Sequence, residues 1–338
     1  MQIVITGGAG FLGARLARTL LAQGTLALDG AAARPIERIT LVDRAAAPAD
    51  LAADARVRSA VGDLNDQLAD RAAAFWAEAD AVFHLAAAVS GECEADFDLG
   101  MRSNFAATHA LLEKLRALGT RPVLVFASSL AVFGDSPAQP LPPVIRDDTL
   151  PTPQTSYGIQ KFIGEQLVAD YTRKGFLRGR SVRLMTVSVR PGRPNGAASG
   201  FFSGMIREPL AGLRAPCPVP DDTPVALASP ARTIEGIVRA AEASEAQWGP
   251  RTAMNLPSLA TTVGEMAAAL GRVAGPEALA LLDRTPDPAI QRIVVSWPGR
   301  FEFERAARLG LRADADFDSI IRDYVRENPD AVQQKLKA

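Results

Sequence analysis

Cysteine and histidine are scarce in this chain. The two cysteines, Cys93 and Cys217, lie outside any C-x-x-C or zinc-ligand spacing and read as free thiols of a reducing compartment. The two histidines, His84 and His109, are too few and too far apart for a metal site, so no metal is expected. Charge imbalance is missing as well. A formal net charge of −1 gives no general attraction to nucleic acid or to an anionic membrane. No apolar stretch approaches the ~18 residues of a spanning helix. The early run Ile3-Val4-Ile5 is too short for a signal-peptide core, which predicts a cytoplasmic protein. No internal repeat is visible.

What is present suits a globular protein with a normal core. Of 338 residues, 48% are hydrophobic and 22% charged, enough for one large domain or two unequal ones. Short apolar runs at 2–6, 38–43, 56–62, 81–86, 122–128 and 181–189 read as strands. Helical spacing recurs at 11–23, 64–78, 97–118 and 156–174. This alternation predicts an α/β fold, a doubly wound parallel sheet covered on both faces. From Arg190 onward Pro, Gly and Ser predominate, so loops are expected, followed by helical runs at 232–245, 262–274 and 316–326. The predicted division is a dinucleotide-binding part over 1–190 and a smaller substrate-binding part over 191–338 that partly returns to the core.

"TGGAGFLG" follows the first strand and opens the first helix. Gly7 suits a tight turn, Gly10 the close pass of a pyrophosphate, and Gly13 the packing of helix on strand. The amides of Phe11, Leu12 and Gly13 stand at the helix N-terminus, where the dipole favours an anion. Asp43 closes the second strand, where a carboxylate accepts the ribose hydroxyls of NAD and repels the 2′-phosphate of NADP. Asp63, after the third strand, is placed to meet the adenine and equally to cap the next helix.

Tyr157 and Lys161 are spaced i, i+4 on one helix, so the ammonium and the phenol share a face. A cation beside a phenol lowers its pKa from about 10 and makes it a usable base. Ser128 and Ser129 end the fifth strand, the end at which doubly wound sheets bind ligands. A serine hydroxyl there can orient a substrate hydroxyl beside the tyrosine.

The glycine turn, Asp43, Asp63-Leu64, "FHLAA", Asn104, "SSLAVFG" and "SYGIQK" occur in an order that resembles the extended short-chain dehydrogenase/reductase family. The likeness covers about 1–190, and "FERAARLGL" resembles the family's ending. It implies a Rossmann fold, NAD as cofactor with Leu64 and Ala86 among the residues lining its site, and a Ser129–Tyr157–Lys161 catalytic set. Asn104 matches a fourth member that supports a proton-relay water in some relatives. Phe133 departs from the tyrosine that many relatives carry. A homodimer built from the helices at 97–118 and 156–174 is also implied.

After the sixth strand, Arg190, Arg193 and Arg207 surround a run of small residues. A guanidinium fork binds a carboxylate in bidentate fashion, and small residues leave a compact pocket. Arg190 and Arg193 rank ahead of Arg207 because they lie nearest the strand end. This stretch resembles the D-erythronate-oxidising branch of the family. That implies a small sugar acid as substrate, oxidised at its C2 hydroxyl with Tyr157 as base. A nucleotide-sugar epimerase or dehydratase that retains its NAD is the alternative. A non-catalytic, cofactor-sensing relative is a third, set against the presence of both Tyr157 and Lys161.

Overall fold

The computed structural model describes residues 1–192 and 197–333. Its centre is a seven-stranded parallel sheet. In chain order the strands are β1 (Gln2–Thr6), β2 (Arg38–Asp43), β3 (Val57–Val61), β4 (Ala81–His84), β5 (Val123–Ser129), β6 (Arg178–Leu184) and, much later, β9 (Met254–Asn255). They lie side by side as β3-β2-β1-β4-β5-β6-β9. The order reverses between β1 and β4, and that switch point is where open α/β sheets hold their ligands. A second sheet joins β7 (Thr186–Val187), β8 (Pro224–Ala228) and β10 (Leu259–Thr262).

The period of two in the strands divides the core. Ile3 and Ile5 of β1 join Ile39, Leu41, Phe83, Val123 and Val125 on one face, against α1 (Phe11–Gln23) and α6 (Pro230–Glu242). Val4, between them, joins Val42, Val82, Leu124 and Phe126 on the other face, against α3 (Ala107–Leu118) and α4 (Ser156–Arg173). A separate core lies in the C-terminal half, among α5 (Gly200–Leu210), α7 (Val263–Ala274) and α8 (Phe317–Glu327). The later chain therefore returns to the core of the first half three times, with α6 on one face, β9 at the edge, and Ala306, Leu309 and Leu311 in the same cluster.

Several predicted elements come out differently. The helix expected over 64–78 is α2 (Leu64–Ala69). It stops at Asp70, whose carboxylate accepts the Ala72 N–H at 2.8 Å in a local turn. The helix expected over 97–118 is interrupted by a π-helical turn at Met101–Ala106 before α3 begins. The strand expected over 181–189 is two strands in two sheets, β6 and β7. Within the stretch expected to be loop, α5 buries Phe201, Phe202, Met205, Ile206 and Leu210. Its apolar spacing is helical, but flanking Gly and Ser obscure it. Among the described residues no helix is long and apolar enough to cross a membrane, and no cluster of potential metal ligands occurs.

Candidate active site

One cleft of about 400 Å³ opens at the carboxyl ends of the parallel strands. Gly7 sits in the turn after β1 with φ +69°, a left-handed conformation natural to glycine. A Cβ there would lie 2.8 Å from the Ala86 nitrogen, and one on Gly13 would lie 2.1 Å from the Gly7 carbonyl. These two glycines are demanded by the protein's own packing. Gly10 is different, because a Cβ there would meet only the Gly7 oxygen, at 3.2 Å, and the position lines the cleft. Its missing side chain leaves room for something outside the chain. Beyond it, α1 begins with no side-chain cap and no acidic residue in its first turn. Phe11, Leu12 and Gly13 line the cleft there, so free amides and the positive dipole end meet an anion's natural place. The cradle fits a dinucleotide pyrophosphate.

Asp43 lies on the rim beside this turn. Its two oxygens accept the Ala9 N–H at 3.0 Å and the Ala45 N–H at 3.1 Å, which fixes the carboxylate facing the glycine turn. Asp63 caps α2 by accepting the Asn65 N–H at 2.9 Å, and it lines the same cleft with Leu64 and Ala86. The backbone hydrogen bond from Asn65 leads the causes that hold its carboxyl below the ordinary range, assisted by Arg44 and Arg102. Both roles foreseen for Asp63 are thus compatible with its position.

Thr155 starts α4 by accepting the Gly158 N–H at 3.1 Å, which sets Tyr157 and Lys161 on the helix face toward the cleft. The Lys161 Nζ donates to the Ala127 carbonyl at 2.8 Å and stands 5.7 Å from the centre of the Tyr157 ring. Burial lowers Lys161 to about 8, against Cys93 and Glu165, which raise it. Tyr157 does not show the lowered pKa expected from its pairing. Burial pushes the phenol up to about 12, and the Ser129 hydroxyl and Arg190 only partly offset this. The half-buried Ser129 faces the cleft. Its neighbour Ser128 is buried, with its hydroxyl donated to Glu165 at 2.6 Å. Glu165 also makes a bidentate pair with Arg183, at 2.9 and 2.8 Å, fully buried behind the site. Breaking such a pair by removing one partner typically costs about 3–5 kcal/mol.

Asn104, in the π-helical turn, is drawn away from the cleft. Its amide donates to the Ala88 carbonyl and Gln160 and accepts the Ala88 N–H at 2.8 Å. It holds the loop after β4 in place. The arginines separate as well. Arg190 lines the cleft, and among the described residues its side chain donates to neutral groups: the Ser199 carbonyl at 2.9 Å and the Ser199 and Ser203 hydroxyls. Burial, then Arg207, lowers its pKa. Arg207 does not line the cleft, and its Nη2 pairs with Glu208 at 2.5 Å. Arg193 lies outside the described residues.

Some residues in and behind the cleft carried no signal in the sequence. Ser199 and Ser203, read as part of a small-residue run, orient the Arg190 guanidinium and backbone. Trp297 is the sole described residue beyond position 200 to line the cleft, and it packs against the C-terminal core.

The sequence profile of the NAD dependent epimerase/dehydratase family matches residues 3–225. The chain belongs to that family. Within it, the chain is 50% identical over 327 residues to a D-erythronate dehydrogenase of Cupriavidus necator, covering 97% of this chain and 98% of the relative. It is 40% identical to a D-erythronate dehydrogenase of Haemophilus influenzae, over 96% of this chain and 99% of the relative. A crystal structure described as the nucleoside-diphosphate-sugar epimerase from Agrobacterium tumefaciens superposes with a TM-score of 0.85 at 40% identity, covering 98% of this chain and 95% of that one. L-threonine 3-dehydrogenase from Trypanosoma brucei shares the fold, with a TM-score of 0.83 at 24% identity over 98% of this chain and 97% of that one. NAD is the cofactor of this NAD dependent family member.

Proposed function

We propose that the protein oxidises the C2 hydroxyl of a small sugar acid, D-erythronate, to 2-oxo-tetronate with NAD⁺, releasing NADH and a proton. The observation that carries this reading is Arg190. It is a guanidinium with no carboxylate partner among the described residues, in the same cleft as Tyr157 and Ser129. A half-buried cation held by neutral oxygens is ready for a substrate anion. The two full-length D-erythronate dehydrogenase relatives support the same substrate.

Each residue has a definite part. Gly7, Gly10 and Gly13 shape the turn, and the α1 amides receive the pyrophosphate. Asp43 receives the ribose hydroxyls, while Asp63, Leu64 and Ala86 line the adenosine end. When bound, NAD supplies the acceptor for the hydride from C2. Arg190 grips the carboxylate, and Ser129 orients the C2 hydroxyl. Tyr157 removes the hydroxyl proton, and Lys161 supports the phenolate with its charge. The phenol at about 12 is a poor base alone. Positive charge bound in the cleft beside it would bring it toward working range. Asn104 acts by positioning the loop that carries Ala86 and Ala88. In this scheme 1–190 carries the cofactor and catalytic groups, 191–338 shapes the substrate side, and the protein is a cytoplasmic homodimer. Light scattering at twice the chain mass of 35.7 kDa is the expected result.

The 40% identical Agrobacterium structure is described as a nucleoside-diphosphate-sugar epimerase, which favours a second reading in which NAD is retained through a full cycle. A panel of free aldonic acids with NAD⁺, followed by NADH absorbance, separates the two. Stoichiometric NADH from erythronate supports the dehydrogenase. No NADH from any free acid, with turnover of a nucleotide sugar, overturns it.

A further inference from the structure

Behind the cleft lies a buried polar unit that the scheme above leaves unused. Its centre is Glu165, one helical turn after Lys161 on α4 and 2% exposed. Spacing of i, i+4 puts the two side chains on one face. The carboxylate is fully engaged: Oε1 accepts from Ser128 at 2.6 Å and from Arg183 Nε at 2.9 Å, and Oε2 accepts from Arg183 Nη2 at 2.8 Å. Arg183 in turn reaches Asn255 Oδ1 at 3.4 Å and lies 4.8 Å from the centre of the Phe133 ring. One carboxylate thus joins α4 to the ends of β5 and β6.

The consequence lies in chain direction. Ser128 and Ser129 are consecutive on β5, so their side chains leave opposite faces. Anchoring Ser128 from behind fixes where Ser129 emerges in front. Two further contacts hold the same seam: the Lys161 Nζ donates to the Ala127 carbonyl at 2.8 Å, and a Cβ on Gly158 would lie 2.1 Å from the Ala131 carbonyl. Helix and strand end are therefore pressed together on both sides of the Tyr157–Lys161 pair.

We propose that Glu165 is a positioning residue for the reaction. It fixes Ser129 against Tyr157 by way of Ser128, and its carboxylate sustains the Lys161 ammonium from the helix face below. This rests on the reading of the cleft as a hydride-transfer site. The groups facing Lys161 are few. His84 on β4, lowered to about 3, is neutral, Cys93 is a thiol raised to about 11, and Tyr157 is a neutral phenol. Glu165, ion-paired with Arg183, is the carboxylate among them, and it opposes the burial that lowers the lysine.

Two variants separate the two parts of the role. Ser128→Ala keeps the charge and cuts the anchor. It is expected to lower kcat about tenfold, since small misplacements of reacting groups are costly, with KM for NAD and the pH profile unchanged. Glu165→Gln keeps an acceptor for Ser128 and removes the charge. The limb of the kcat/KM profile near pH 8 should then move to lower pH. Should the buried Arg183 left alone prevent folding, the kcat of Ser128→Ala, which keeps the Glu165–Arg183 pair, decides the proposal. A Ser128→Ala enzyme within twofold of wild type, or an unmoved limb in the folded Glu165 variant, overturns the proposal. A wild type that oxidises no acid in the same assay defeats the underlying reading instead.

Discussion

The Arg207 guanidinium donates to the backbone carbonyl of Arg190 at 2.7 Å. Two arginines named as candidates for one carboxylate site therefore make different contacts. Arg207 gives one nitrogen to the Arg190 backbone and another to Glu208, while Arg190 turns its own side chain into the cleft.

Arg190→Ala should lose about 10- to 150-fold in kcat/KM for erythronate, the equivalent of a charged hydrogen bond worth roughly 1.5–3 kcal/mol. Arg207→Ala should act chiefly on stability, lowering the melting temperature. The polyol erythritol, which has no carboxylate, should be a poor substrate for the wild type and equally poor for Arg190→Ala. Steady-state kinetics on acid and polyol decide this. Equal wild-type activity on the two compounds removes the carboxylate site.

Tyr157→Phe should reduce turnover by about 10²–10⁴, the usual contribution of general acid–base catalysis. NAD binding, followed by titration of NADH fluorescence, should stay near the wild-type value. A variant that keeps more than about a tenth of the rate is incompatible with Tyr157 as base.

Asp43→Ala should narrow the preference for NAD over NADP, because the rim carboxylate facing the glycine turn is then gone. The ratio of kcat/KM for the two cofactors is the measurement. An unchanged ratio assigns the discrimination elsewhere, with the nearby Arg44 the first residue to test.

His84 carries a pH dependence of folding. Its ring is buried between the hydroxyls of Thr6 at 2.7 Å and Thr108 at 3.0 Å. Burial, with a smaller push from Lys161, lowers it from 6.5 to about 3. Between those values the unfolded chain binds a proton that the folded chain does not. Stability therefore rises with pH across this window and is lost as pH falls from about 6.5 toward 3. Denaturant unfolding from pH 7 to 4 should show this loss, and His84→Gln should flatten it. A variant as acid-sensitive as wild type would show that other groups dominate.

The doubly wound sheet and the cofactor turn were legible because they depend on local rules: a period of two in β1, and glycines at a strand–helix junction. Tyr157 and Lys161 were legible because i, i+4 spacing is a fixed property of a helix. What stayed hidden depends on contacts made across the chain. Nothing adjacent to Ser128 indicates that it faces Glu165 while Ser129 faces the cleft. Asn104 was a candidate by resemblance alone, and the sequence did not show that the π-helical turn around it holds its amide against Ala88 and Gln160. The phenol of Tyr157 was expected low because its neighbouring charge was visible, whereas its burial was not.

The return of the later chain to the central sheet has a practical consequence. A fragment ending near residue 190 keeps the glycine turn, Tyr157 and Lys161, yet it lacks α6 and β9. Ile234, Ile237 and Met254 leave with them, all at or below 2% exposure in the intact fold. The apolar face they cover would meet water, and the edge of β6 would present unpaired amides to any other strand. Such a fragment should aggregate on expression, whereas soluble, NAD-binding material would show that the first half folds alone. The end of the catalytic motifs, near residue 190, does not coincide with the end of the packed core around β1, which draws on residues as late as Leu311.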